Sequence, residues 1–258
     1  MSGWRQVADG LAGCLWPLPG VCPGCGRPEK RAANDLRFCR RCRERLPLVT
    51  PPLCRRCGKP LRLKSAEGVE CRECGGRERG FRVARAAGLY EGEMRQLLHR
   101  FKFRQERRLA VPLGHLLAEV WRRYPELRGA TVLVPVPLAP ERLAERGFNQ
   151  AADLARVLGE VVGRPVAEDA LLRAGGGLAQ SRRSEARRRA AVRGAFRAFR
   201  PGLVAGQRVL LVDDVLTTGA TAESCALALL QAGAVEVGVL TVATTVVTAS
   251  WSVDPAET

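Results

Sequence analysis

Two sets of residues in this chain have types and spacings suited to chemistry. The first is Val209-Leu-Leu-Val-Asp213-Asp214-Val-Leu-Thr217-Thr218-Gly219-Ala220-Thr221. Two adjacent carboxylates at the end of an apolar run are costly to bury unless they hold hydroxyls, cations or a metal ion. The segment after them enters a helix. Its backbone N–H groups and the hydroxyls of Thr217, Thr218 and Thr221 make an anion cradle, and Gly219 allows close approach. Acids beside an anion cradle suit a ligand with a phosphate at one end and vicinal hydroxyls nearby. Ribose 5-phosphate fits that description.

The second set is a tandem cysteine repeat. Cys22, Cys25, Cys39 and Cys42 form CxxC, a thirteen-residue gap and CxxC, and Cys54, Cys57, Cys71 and Cys74 repeat the pattern 32 residues later. Gly26 and Pro28 recur as Gly58 and Pro60. Zinc takes four ligands tetrahedrally and favours thiolates in structural sites. A segment with so few large apolar residues needs metal in place of a core. The pattern predicts two Cys₄ zinc sites. The repeat favours sequential pairing, and a crossed pairing stays open. Cys225 sits in an apolar helical stretch and reads as core.

Further candidates are single residues. Lys102 lies between Phe101 and Phe103, within reach of an anion. Arg142 and Arg146 precede Gly147-Phe148-Asn149-Gln150 and suit pyrophosphate or a nucleic-acid phosphate. His99 and His115 have no second ligand at metal spacing and read as structural.

Elements of regular structure must position these groups. Val83–Tyr90 reads as a strand, Met94–Phe103 and Arg108–Tyr124 as helices, Thr131–Val136 as a strand and Asn149–Gly163 as a helix. Gln207–Val212 is a strand of consecutive apolar residues, with the acids in the loop after it. Ala220–Ala232 is a helix ended by Gly233, and Val235–Val247 a last strand. This alternation predicts an α/β fold, a doubly wound parallel sheet, with a small N-terminal zinc-ribbon module. The division expected is 1–80 for the N-terminal segment and ribbons and 81–258 for the α/β domain. Ligands of such sheets bind at the C-terminal strand ends, which points to the loop after Val212.

At 46% apolar residues the chain can build a core, and disorder throughout is excluded. No apolar run is long enough to span a membrane. Met1–Pro19 carries Arg5 and Asp9 and is broken by Gly10, Gly13 and Pro17, so it lacks a secretory apolar core, and a cytoplasmic location is expected. The net charge of +16 suggests a polyanionic partner. Residues 173–200 hold nine arginines against one glutamate, whereas residues 201–258 hold one arginine against six acids.

The Val209–Thr221 stretch resembles the 5-phosphoribosyl-1-pyrophosphate signature of type I phosphoribosyltransferases. The resemblance implies that Asp213 and Asp214 bind the ribose hydroxyls and that Thr217, Thr218, Gly219, Ala220 and Thr221 bind the 5′-phosphate. It implies Mg²⁺ arriving with the substrate. Val134-Pro135-Val136-Pro137 stands where that fold places a loop near pyrophosphate, with Val136 the candidate. Taken with the ribbons, Phe101-Lys102-Phe103, Glu145–Gln150 and an Arg-rich loop at Gln180–Phe196, the chain resembles the ComF family over residues 20–245. That loop would close over the reacting centre, with Arg188 and Lys102 as catalytic candidates. Relatives typically carry Asn where this chain has Ala191 and Leu where it has Arg183. The family is linked to DNA uptake in natural transformation. It implies phosphoribosyl pyrophosphate or ribose 5-phosphate as ligand, and single-stranded DNA and competence-machinery proteins as candidate partners. An alternative is a catalytically silent adaptor that grips single-stranded DNA with the ribbons and the Arg-rich loop.

Overall fold

The computed structural model describes residues 20–29, 37–61, 68–173 and 195–246. Its elements in chain order are a short helix α1 (Arg40–Glu44), strand β1 (Val83–Leu89), helices α2 (Gly92–Phe103) and α3 (Ala110–Arg123), and strand β2 (Val132–Pro135). Helices α4 (Pro140–Arg146) and α5 (Gln150–Val162) follow, then strands β3 (Leu171–Arg173), β4 (Phe196–Ala198) and β5 (Arg208–Leu216). Helix α6 (Ala220–Gln231) and strand β6 (Glu236–Thr244) complete the domain.

The main sheet has the order β1-β6-β5-β2 and every pairing in it is parallel. Burial is nearly continuous along β2, β5 and β6, as expected of strands covered on both faces. Two core clusters occupy the two faces. One joins α2, α3 and α5 through Leu98, Leu117, Leu154 and Leu158 to Leu133, Leu210 and Leu240 of the sheet. The other joins Cys225 and Leu229 of α6 to Val134, Leu211 and Val239. Cys225 is fully buried, in keeping with its reading as core.

Three departures from the sequence reading affect the site. β5 does not stop at Val212. It runs to Leu216, because β6 offers a ladder that pairs Asp213 with Thr241 and Leu216 with Thr244. The acids are therefore held in the strand and not in a loop. On its other side β5 loses its partner, since β2 ends at Pro135 and the Val136 N–H bond to Val212 O is the last contact there. Asp213 and Asp214 thus stand where the sheet opens. The sequence reading also omitted α4, which starts with Pro140 and is closed by Gly147 at φ +74, and the antiparallel β3–β4 pair.

The ribbons pack against this domain. The segment between them meets the free edge of β1, where Leu89 N donates to Pro47 O and Val49 N to Ala87 O. No described helix is long and apolar enough to cross a membrane.

Candidate functional site

The acidic pair is built by the end of β5. Asp214 is buried, and its Oδ2 lies 2.8 Å from the ammonium of Lys102, which is itself 15% exposed at the end of α2. Asp213 Oδ1 accepts the Asp214 N–H at 2.8 Å. One ammonium thus faces two carboxylates. Burial, and next the charge of Asp214, push the Asp213 carboxyl up to about 8, against the Asp214 N–H and Lys102. The fold brings together three of the residues singled out in the sequence: Lys102, Asp213 and Asp214.

The Thr segment turns directly from this pair into α6. Gly219 takes φ +80, a left-handed conformation that other residues adopt at a cost, at the position before the helix. Gly219, at the N-cap, has no side chain to cap α6, and the Ala220 N–H meets Thr218 Oγ1 at a long 3.4 Å, so the helix start can still turn N–H groups to an anion. Thr217 is exposed, and Thr218, Ala220 and Thr221 are half-buried beside Gly219.

The other candidates are distributed differently. Arg146 stacks over Phe103 at 5.0 Å and donates to Gln150 Oε1 at 3.0 Å. It is anchored beside the Lys102 end of α2. Arg142 is exposed on α4. Val136 is buried, its N–H bonded to Val212 O and its carbonyl accepting Asn149 Nδ2 at 3.1 Å. Its backbone groups are therefore engaged in holding β2, β5 and the start of α5 together. Arg188, with Arg182, Arg183, Arg187, Arg189 and Arg193, lies outside the described residues, as does Cys14. The ring of His99 packs against Phe103 at 4.9 Å, a structural contact. An open cavity of about 640 Å³ flanks α6 and is lined by Arg79, Phe196, Glu223 and Leu227 among others; neither Asp213 nor Asp214 lines it.

The cysteines group sequentially. The sulfurs of Cys22, Cys25, Cys39 and Cys42 lie within 4.8 Å of one another, and so do those of Cys54, Cys57, Cys71 and Cys74. Backbone N–H groups aim at these sulfurs, as in Cys39 N to Cys22 Sγ at 3.4 Å and Cys71 N to Cys54 Sγ at 3.3 Å. Such donors stabilise thiolates, and the donor set fits tetrahedral zinc. Two structural zinc sites follow.

Comparison with known proteins agrees with this geometry. A double zinc ribbon domain matches residues 14–75, and a phosphoribosyl transferase domain matches residues 143–250. The competence protein ComFC of Bacillus subtilis is 31% identical over 206 residues, covering 77% of this chain and 80% of that protein. The chain belongs to the ComF family. The DNA utilization protein YhgH of Salmonella typhimurium is 30% identical over 225 residues, 86% of this chain and 96% of the relative. A ComFC of Streptococcus pneumoniae is 30% identical over 183 residues, 69% of this chain and 76% of the relative. Within this ComF-family chain the transferase match takes in the acidic pair and the Thr segment, while Lys102 lies before its start.

One residue at the site was missed in the sequence. Arg79 lies between the two matched regions and donates to Thr218 O at 3.1 Å. It stands among Arg77 and Arg82 in a basic stretch, and no spacing rule separates it from them.

Proposed function

We propose that this ComF-family chain binds 5-phosphoribosyl-1-pyrophosphate at Asp213–Thr221 and transfers its ribose 5-phosphate to an acceptor. Asp213 and Asp214 bind the ribose hydroxyls. Thr217, Thr218, Gly219, Ala220 and Thr221 bind the 5′-phosphate. Mg²⁺ would come with the substrate and would offset the negative charge of the pyrophosphate as it leaves. In the reaction the bond from C1 to pyrophosphate breaks, a nucleophilic nitrogen of the acceptor bonds to C1, and pyrophosphate leaves. Catalysis is then mostly positioning and charge stabilisation, with Lys102 and Arg188 as the cations near the reacting centre. Arg142 and Arg146 are assigned to the pyrophosphate side, and Val136 to positioning that side through its backbone bonds. The names of the relatives, a competence protein and a DNA utilization protein, support a role in DNA uptake or nucleotide metabolism.

The observation that carries this reading is the junction itself. A buried strand carries two acids near its end, where the sheet opens, and runs on through Thr217, Thr218 and a left-handed glycine into α6. Carboxylates able to accept from hydroxyls and the start of a helix lie a few residues apart, which supports the reading.

Calorimetric titration of zinc-loaded protein with 5-phosphoribosyl-1-pyrophosphate and Mg²⁺, beside an Asp213→Asn/Asp214→Asn control, tests it. Heat of binding in the native protein that vanishes in the control is expected. Folded protein that takes up none of the ligand sinks the reading, and the single-stranded-DNA adaptor then takes its place. The adaptor would bind with a steep dependence on salt, because few aromatics are available for stacking.

A further inference from the structure

Arg79 lies five residues beyond Cys74, on the path from the second ribbon to β1. Its side chain is 6% exposed. Nη2 donates to Glu73 O at 3.1 Å, on the residue next to a zinc ligand. Nη1 donates to Thr218 O at 3.1 Å and to Glu223 Oε2 at 3.2 Å. The guanidinium also lies over the Phe81 ring at 5.8 Å. One planar fork thus joins the second metal site to the Thr segment and to the first turn of α6.

The Thr218 contact fixes the orientation of a peptide. In a trans peptide the carbonyl and the following N–H point in opposite directions. With Thr218 O drawn to Arg79, the N–H of Gly219 is turned away from Arg79. A Cβ on Gly219 would stand 3.1 Å from Nη1, so a side chain there would crowd the guanidinium. Glu223 is the acidic residue of the first turn of α6, and its charge opposes an anion at that helix end. The ion pair with Arg79 offsets that charge. Glu73 is fixed from its own side as well, through Lys59, whose buried ammonium lies 2.8 Å from Glu73 Oε2.

We infer that Arg79 is a positioning residue for the Thr217–Thr221 segment, and that through it the ligand affinity of this segment depends on zinc in the Cys54/Cys57/Cys71/Cys74 site. The inference rests on the reading of Asp213–Thr221 as the ligand site. Zinc holds the Cys71–Cys74 turn, the turn holds Glu73 O, Glu73 and Glu223 hold the guanidinium, and the guanidinium holds the Thr218 peptide.

The test compares Arg79→Met, Arg79→Lys and Cys71→Ser with the native chain by hydrogen–deuterium exchange in ligand-free protein, zinc content, and calorimetry with 5-phosphoribosyl-1-pyrophosphate and Mg²⁺. Arg79→Met is expected to speed exchange at Thr217–Thr221 while β5 and β6 keep native rates and both zinc ions stay bound. Its ligand affinity is expected to fall about 10- to 100-fold, the size of a lost hydrogen bond from a charged donor. Arg79→Lys keeps the charge without the fork and falls between. Cys71→Ser loosens the same segment, and combining it with Arg79→Met adds little further loss. Native exchange at Thr217–Thr221 in Arg79→Met overturns the inference, and additive losses overturn its zinc link. If the native chain binds no ligand, the functional reading fails first, and exchange still decides whether Arg79 orders the segment. Should Cys71→Ser not fold, chelation of zinc from native and Arg79→Met protein, followed by the same exchange measurement, supplies the comparison.

Discussion

The two ribbons repeat one ligand pattern, yet the fold uses them differently. All four cysteines of the second site are buried, whereas Cys25 of the first is exposed and Cys42 half-buried. The second ribbon is fused to the sheet by its backbone. Ala84 N donates to Arg56 O at 2.6 Å, and a Cβ on Gly58 would lie 2.4 Å from Ala84 O. The first ribbon is tethered mainly by side chains, through Arg100 Nη1 to Gly24 O at 2.6 Å and Arg43 Nη1 to Glu119 Oε1 at 2.9 Å, with Phe38 and Leu46 reaching the main core. The repeated residues specify a metal site in each half. The residues that do not repeat, Lys59 and Arg79 among them, decide which half becomes part of the domain that carries the acidic pair.

The largest effect should separate the two metal sites. Cys54→Ser removes a fully buried sulfur that accepts N–H groups from Cys57 and Cys71, in a ribbon continuous with β1. Structural zinc is worth on the order of 10 kcal/mol to small ribbons. Loss of soluble folded protein, or a fall in melting temperature of more than about 10 °C, is expected. Cys25→Ser should lower the melting temperature by less and leave ligand affinity at the native level. Thermal melts with metal analysis on each variant check this, and equal losses would break the distinction between the ribbons.

A milder pair of changes probes attachment without touching a ligand. Gly26 and Gly58 share left-handed backbone, at φ +73 and +68. Alanine at either position carries the steric cost of that conformation, about 1 kcal/mol. At Gly26 a Cβ meets nothing within 4 Å, while at Gly58 it collides with a backbone carbonyl of β1. Gly58→Ala should therefore cost about 3 kcal/mol, with Gly26→Ala near the conformational cost alone. Denaturant midpoints measure both. Similar midpoints would mean that β1 yields to the second ribbon.

How much of this was readable in the sequence depends on the range of the interaction. Eight cysteines at CxxC spacing announce their chemistry locally, and the zinc sets emerged with the sequential pairing the repeat favours. The apolar runs of β2, β5 and β6 were legible because two-sided burial leaves no alternation. The end of β5 was not, since its course past Val212 depends on a ladder to Thr241–Thr244 that only pairing creates. Pro140 and Gly147 did bracket α4 in the sequence, a signal present and unused. The sequence offered Lys102 as a charge within reach of an anion, but not its partner Asp214, which comes from a strand far along the chain. Arg79 is the extreme case, because its three acceptors come from the second ribbon, the Thr segment and α6.

The smallest effect belongs to the acidic pair and serves as a control on the division between ribbons. Burial and Asp214 push Asp213 up to about 8, while an unfolded aspartate titrates near 3.9. Between those values the folded chain holds a proton that the unfolded chain has released. The unfolded state thus binds fewer protons, and the contribution of Asp213 to stability declines as pH rises from about 4 to about 8, after which it is level. Asp213→Asn removes that penalty. Its melting temperature should exceed the native value by a margin that grows from pH 5 to pH 8.5, reaching about 3–6 °C once the partial exposure of the group is allowed for. The same margin is expected in a Cys25→Ser background, because no described hydrogen bond or ion pair joins the first ribbon to Asp213 or Asp214. A margin that shrinks there would tie the first ribbon to the acidic pair after all. A margin of opposite sign would mean that Lys102 holds both acids ionised in the folded chain.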